Sequence, residues 1–92
     1  MIKSFRHKGL KSFFDTGNKR GISPGLAPRI GRRLDALNAA LRIGDIDAHG
    51  FDLHRLKGER QEEWSISVSG NWRITFRFAK GDVYDINLED YH

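Results

Sequence analysis

From Trp64 to Leu88 the chain alternates apolar and polar side chains in three successive runs, a period of two that a helix cannot use. Trp64, Ile66 and Val68 interleave with Ser65, Ser67 and Ser69. Trp72, Ile74, Phe76 and Phe78 interleave with Arg73, Thr75 and Arg77, and Tyr84, Ile86 and Leu88 with Asp85, Asn87 and Glu89. Successive side chains of a strand point to opposite faces, so the runs predict an antiparallel sheet with one apolar and one polar face. Opposed residues must share a face, which restricts the register. Three-residue loops, Ser69-Gly70-Asn71 and Lys80-Gly81-Asp82, pair Val68 with Trp72, Ile66 with Ile74 and Trp64 with Phe76, and then Phe78 with Tyr84, Phe76 with Ile86 and Ile74 with Leu88. A two-residue loop at either place sets an apolar side chain against a charged one, which favours the longer loops. On this register Arg73 lies mid-sheet on the polar face between Ser67 and Glu89, with Tyr91 one diagonal further along.

The apolar face needs a cover, and the front of the chain supplies amphipathic helices. Leu10, Phe13 and Phe14 fall at helical spacing over residues 8–15, ahead of Gly17. Over residues 28–43, Ile30, Leu34, Leu37 and Leu41 recur at steps of four, three and four, with Pro28 acceptable in a first turn and Gly44 a plausible cap. Residues 2–5 are short and read as a strand; residues 16–24 and 44–50 read as loops. Helices in front and strands behind predict an α+β fold, an antiparallel sheet packed on two N-terminal helices. Ninety-two residues are enough for one core, so one domain over residues 1–92 is expected.

Composition narrows the chemistry. There is no cysteine, hence no thiolate metal site, thiol nucleophile or disulfide. No apolar run approaches the roughly 20 residues of a bilayer span, and the N-terminus lacks a secretory pattern. No membrane association and a cytoplasmic location are the expectation. The net charge of +4 is unevenly spread: residues 1–34 hold nine Lys or Arg against one Asp, and the remaining 58 hold seven against eleven acids. A basic front half suits a polyanion, because Lys and Arg release counterions from a phosphate backbone without reading sequence. A merely solvated basic face is the competing interpretation.

Cleaving RNA without a metal needs a base for the 2′-hydroxyl, an acid for the leaving 5′-oxygen and fixed positive charge beside the phosphorus. Histidine suits either proton role. His54 and Lys57 lie in Leu53-His54-Arg55-Leu56-Lys57-Gly58, Arg73 is central in the sheet, and Asp90-Tyr91-His92 follows the last strand run. These side chains are expected to converge on one side. Each also has a plain interpretation: His54 as a surface residue, Arg73 paired with Glu89, Lys57 as a turn residue, Tyr91 as an edge aromatic, His92 as a terminus. His7 and His49 are assigned no functional role. No spacing suggests a metal site, and no cofactor is called for.

The ordered string Leu53-His54-Arg55-Leu56-Lys57-Gly58, Trp64-Ser65-Ile66-Ser67-Val68, Asn71-Trp72-Arg73-Ile74-Thr75-Phe76 and Asp90-Tyr91-His92, preceded by Ile2-Lys3-Ser4-Phe5 and His7-Lys8-Gly9-Leu10, resembles the HigB toxins of the RelE superfamily. The resemblance implies a β-α-α-β-β-β-β microbial ribonuclease-like fold. It implies cleavage of messenger RNA in the ribosomal A site, and neutralisation by a helix-turn-helix antitoxin of the HigA type, in a complex that binds its own operator DNA. His54, Asp90, Tyr91 and His92 match positions important for cleavage in that family, and Lys57 and Arg73 match basic positions beside them. On this resemblance His92 would transfer a proton with Asp90 orienting it, His54 and Lys57 would contact or protonate the cleaved phosphodiester, Arg73 would stabilise the phosphorane and Tyr91 would hold a base or sugar. Lys8, Lys11, Lys19, Arg20, Arg29, Arg32 and Arg33 would then grip ribosomal RNA. Two alternatives stay open: a non-enzymatic inhibitor of the same fold, of the kind that binds DNA gyrase, and a plain RNA-binding module.

Overall fold

The structure, a computed structural model, describes residues 1–90; the candidate residues Tyr91 and His92 lie outside the described residues. The helices α1 (Lys8–Thr16), α2 (Ala27–Ala39) and α3 (Ile43–Asp47) precede the strands β1 (His54–Arg55), β2 (Glu63–Ser69), β3 (Trp72–Ala79) and β4 (Asp82–Asp90), with a short 3-10 turn at Gly58–Arg60. The strands form one antiparallel sheet in the order β1-β2-β3-β4. Its apolar face packs on the helices as the alternation requires: Leu10, Ile30, Leu34, Leu37 and Ile46 meet Ile66, Ile74, Phe76, Val83 and Ile86, all fully buried. Burying such a side chain contributes about 1.5–3 kcal/mol, so this layer is the main source of stability. Among the described residues no helix is long and apolar enough to cross a membrane.

The mid-strand register is the one the alternation demands, with Ile66 opposite Ile74, Trp64 opposite Phe76, Ser67 and Glu89 flanking Arg73, and Ile74 opposite Leu88. Near the turns it differs. Both hairpins close through two-residue loops, with Ser69 opposite Trp72 and Ala79 opposite Asp82. A register shift between Ser67 and Ser69 takes up Val68, and a bulge sets Asp85 and Ile86 of β4 against Phe76 alone. An extra residue inside a strand restores the phase that an extra loop residue would have set, so pairings beyond the bulge are unchanged. Lys80 and Gly81 both have positive φ, 53° and 82°, the left-handed pair that suits the twist of a tight hairpin. Tyr84 therefore pairs with Arg77, not Phe78, and Val83 fills the core position opposite Phe78.

Four further expectations are corrected. Residues 2–5 do not form a continuous strand; Ile2 and Phe5 make two isolated parallel bridges to Val83 and Ile86. The bulge at Asp85 interrupts the ladder, and its backbone N–H donates to the Ser4 hydroxyl. The helix read as reaching Ile43 stops at Ala39, where Ala40 turns to extended backbone, ψ 137°. Leu41, read as part of the apolar stripe, is 79% exposed. The Asp45 carboxylate accepts from the Leu41 and Arg42 backbone N–H groups at 2.9 and 3.2 Å, and these bonds hold its carboxyl below the usual range. That local capture competes with helix propagation and opens α3 where a loop was expected, with Ile46 buried beneath it.

Between α1 and α2, the chain at Gly21 passes so close to Gly9 that a Cβ on Gly9 would lie 2.4 Å from the Gly21 carbonyl oxygen. Only glycine permits that approach, which places Lys8 and Arg20, each next to a contacting glycine, at the same end of the helical layer.

Candidate functional site

The polar face of the sheet is not simply washed by solvent. Ser65 and Thr75 lie opposite one another in the ladder and are buried, Ser65 bonded by Arg73 and Thr75 bonded to the Glu89 carboxylate that Arg60 holds. Arg73 of β3 donates Nε to the Ser65 hydroxyl at 2.9 Å, Nη1 to the Asp52 carboxylate at 3.3 Å and Nη2 to the Asp52 carbonyl at 2.6 Å. Arg60, from the 3-10 turn, donates to both oxygens of Glu63 at 2.9 and 3.0 Å and both oxygens of Glu89 at 3.0 and 2.6 Å. The Thr75 hydroxyl adds a bond to Glu89 at 2.6 Å. Those bonds push the Arg60 guanidinium up from its ordinary value and pull the Glu63 and Glu89 carboxyls down. Glu89 thus answers Arg60 and Thr75, and Arg73 turns the other way, toward Asp52.

Around Arg73 opens a cleft of about 420 Å³ lined by Asp52, His54, Arg55, Leu56, Lys57, Ser65 and Arg73. The candidates His54, Lys57 and Arg73 meet here. His54 belongs to β1 opposite Ser65, which sets its ring on the Arg73 side of the sheet. Its Nδ1 lies 3.0 Å from the Asp52 carbonyl and 3.4 Å from the Asp52 carboxylate. Lys57, exposed, precedes the 3-10 turn that Arg60 pins to β4. Arg73 has five N–H donors in a rigid fork; Asp52 and Ser65 occupy most of them, and its side chain is 16% exposed. The cleft therefore offers the imidazole of His54, the exposed ammonium of Lys57 and two guanidiniums held by hydrogen bonds, Arg73 on Asp52 and Ser65 and Arg55 on the Gln61 carbonyl. That is a set suited to a phosphodiester, combining proton transfer with stabilisation of added negative charge. Among the described residues no three His, Asp or Glu side chains gather as a metal-ligand set.

Asp90 ends β4 opposite Trp72, one residue beyond Glu89, which is opposite Arg73. Of the predicted basic contacts, Lys8, Lys11, Lys19, Arg20, Arg29 and Arg32 are exposed. Lys11 pairs with Asp15, and Lys19 and Arg32 line one shallow depression on the helical layer. Arg33 has a different position. It is half-buried, donates Nε to the Ser67 carbonyl at 2.5 Å and Nη1 to the Arg29 carbonyl, and lies 4.4 Å over the Phe51 ring. Burial, followed by the charges of Arg32 and Arg29, lowers its pKa from the ordinary value. His7 caps α1, accepting from the Leu10 N–H at 3.1 Å, and His49 stacks on Phe51.

Sequence reasoning did not single out Asp52, Ser65 or Arg60. Asp52 stands two residues before His54, a spacing without a distinctive signal. Arg60 and Glu63 have a visible i,i+3 spacing, but the Arg60–Glu89 link spans 29 positions and only the folded sheet creates it.

A family model described as the RelE-like toxin HigB of type II toxin-antitoxin systems matches residues 3–92. A protein from Proteus vulgaris named endoribonuclease HigB is 50% identical over 92 residues, covering the whole of both chains.

Proposed function

The chain belongs to the HigB-like toxins of type II toxin-antitoxin systems, and on that premise we propose that it is an endoribonuclease cutting translated messenger RNA in the ribosomal A site, with an antitoxin as its neutralising partner. The observation that carries this reading is the cleft where His54, Lys57 and Arg73 converge on the polar face of the sheet. In the proposed reaction the 2′-hydroxyl attacks the adjacent phosphorus and the 5′-oxygen leaves, so the strand breaks with no metal and no cofactor. Arg73 holds fixed positive charge against the phosphorane and keeps one N–H of Nη1 for a phosphate oxygen. Lys57 is the adaptable cation and His54 contacts or protonates the phosphodiester. His92 transfers a proton with Asp90 orienting it, and Tyr91 holds a base or sugar.

Exposed Lys8, Lys11, Lys19, Arg20, Arg29 and Arg32 supply counterion-releasing contacts to ribosomal RNA. Arg33 adds charge to that surface, but its donors bind backbone carbonyls of α2 and β2. The antitoxin is taken to be a helix-turn-helix protein of the HigA type, whose complex with the toxin binds operator DNA; a short helix-turn-helix protein in the adjacent reading frame would support this.

Primer extension on messenger RNA recovered from ribosomes incubated with the protein tests the activity. Discrete cuts within translated codons are expected, and His92→Ala should lower cleavage by about 10² to 10⁴ while ribosome association stays nearly intact. Intact message alongside full growth arrest would reject the nuclease reading.

A further inference from the structure

We infer that Asp52 is a positioning residue: its left-handed backbone turns its carbonyl into the cleft, where that one oxygen orients both Arg73 and the ring of His54. The inference rests on the proposed role of His54 in acting on RNA. Among the described residues Asp52 is one of three non-glycine residues with positive φ, at 57°. The other two lie at a hairpin turn and at the β4 bulge, where strand geometry accounts for them. Asp52 lies in neither. L-residues enter this region at a cost, and such backbone tends to persist where the surrounding structure holds it for function.

The surroundings hold it on both sides. Just before it, the Phe51 carbonyl accepts from the Ser67 N–H at 2.8 Å, and the Phe51 ring is covered by the Arg33 guanidinium and stacked on His49. Just after it, β1 pairs with β2. The turn between these anchors presents the Asp52 carbonyl at 2.6 Å from Arg73 Nη2 and 3.0 Å from His54 Nδ1. The carboxylate is further from both, at 3.3 Å from Arg73 Nη1 and 3.4 Å from His54 Nδ1.

A carbonyl oxygen only accepts, so Nδ1 of His54 carries the hydrogen and the neutral ring has its free lone pair on Nε2. Nε2 can then gain or lose a proton while Nδ1 keeps its bond and the ring stays in place. The same oxygen draws one edge of the Arg73 fork away from Glu89 and fixes the guanidinium in the cleft. Residue 52 therefore acts through its backbone conformation, and the carboxylate is secondary.

The test separates conformation from carboxylate. Asp52→Gly keeps left-handed backbone at no steric cost and removes the carboxylate; Asp52→Asn keeps the conformation and side-chain shape without the charge; Asp52→Val disfavours the conformation. Gly and Asn variants should retain kcat within about threefold, and Val should lower kcat by about tenfold or more with KM little changed. Nitrogen-15 NMR of the His54 ring in the whole purified protein, above the imidazole titration, should show the Nδ1–H tautomer in wild type, Gly and Asn. This readout needs no RNA cleavage and does not depend on the Val variant folding. A His54→Ala protein that still cuts RNA would overturn the role of His54 and leave the tautomer result standing. An Nε2–H tautomer in the wild type, or a loss of kcat in Asp52→Gly as large as in Asp52→Val, would overturn the positioning role.

Discussion

Replacing Arg60 by Met keeps most of the aliphatic bulk and removes the charge that two carboxylates share. The Glu63 and Glu89 side chains are only 13% and 22% exposed, and without Arg60 they are left close together with little access to water. Removing one partner of a buried ion pair ordinarily costs about 3–5 kcal/mol, because the other charge stays unmet. Arg60 is itself 34% exposed, and exposed pairs are worth at most about 1 kcal/mol, so the expected loss at neutral pH is about 2–3 kcal/mol. In a domain of this length that lowers the thermal midpoint by roughly 10–20 °C. The pH dependence has a definite sign. Hydrogen bonds from Arg60 hold the Glu63 and Glu89 carboxyls below the ordinary glutamate value, so their contribution is complete above the unfolded value and is lost as pH falls through the depressed folded values. In Arg60→Met the same carboxyls are desolvated beside each other, which makes the variant lose less on acidification. The difference between wild type and variant should therefore be greatest near neutrality and shrink below about pH 4. Urea unfolding at neutral and acid pH measures both quantities. A difference that does not change with pH, or one under about 0.5 kcal/mol at neutrality, would refute the reasoning.

Leu37→Ala and Leu41→Ala should behave as opposites in denaturant unfolding: about 2–5 kcal/mol lost at the buried site and under about 0.5 kcal/mol at the exposed one. Equal losses would mean that α2 continues through Leu41. Gly9→Ala drives a methyl group into the Gly21 carbonyl and should cost about 1–3 kcal/mol, seen as a lower melting temperature; an unchanged melt would show that the close approach relaxes freely. Charge reversal at Arg29 and Arg32 should weaken ribosome association and flatten its salt dependence without altering stability, and unchanged binding would remove α2 as a contact surface.

Much of the sheet was legible because its signal is local. The period-two alternation specified which side chains of β2 and β3 face the helices, and the shared-face condition yielded Ile66 opposite Ile74 and Ile74 opposite Leu88. The turns were not legible in the same way. A three-residue loop and a two-residue loop followed by a bulge produce identical pairing further along the strand, so Val68 and Asp85 could not be placed from pattern alone. The end of α2 was hidden for a related reason. Leu41 continues the helical spacing, and what stops the helix is a side-chain capture by Asp45 that a hydrophobic pattern does not record.

The candidate site divides along the same line. From residue type and resemblance alone, His54, Lys57 and Arg73 were named, and the folded chain brings them to one cleft; Tyr91 and His92 were named with them and lie outside the described residues. The sequence by itself determined the sheet with one apolar face, the helices that cover it and the family, because periodicity and ordered motifs are properties of neighbouring residues. Tertiary structure alone decided that Arg73 answers to Asp52 and not to Glu89, that Arg60 ties the turn after Lys57 to β4, and that Arg33 serves the fold. Those choices depend on partners 21, 29 and 34 positions away, and competition among donors and acceptors across such separations is settled only when the strands and helices meet.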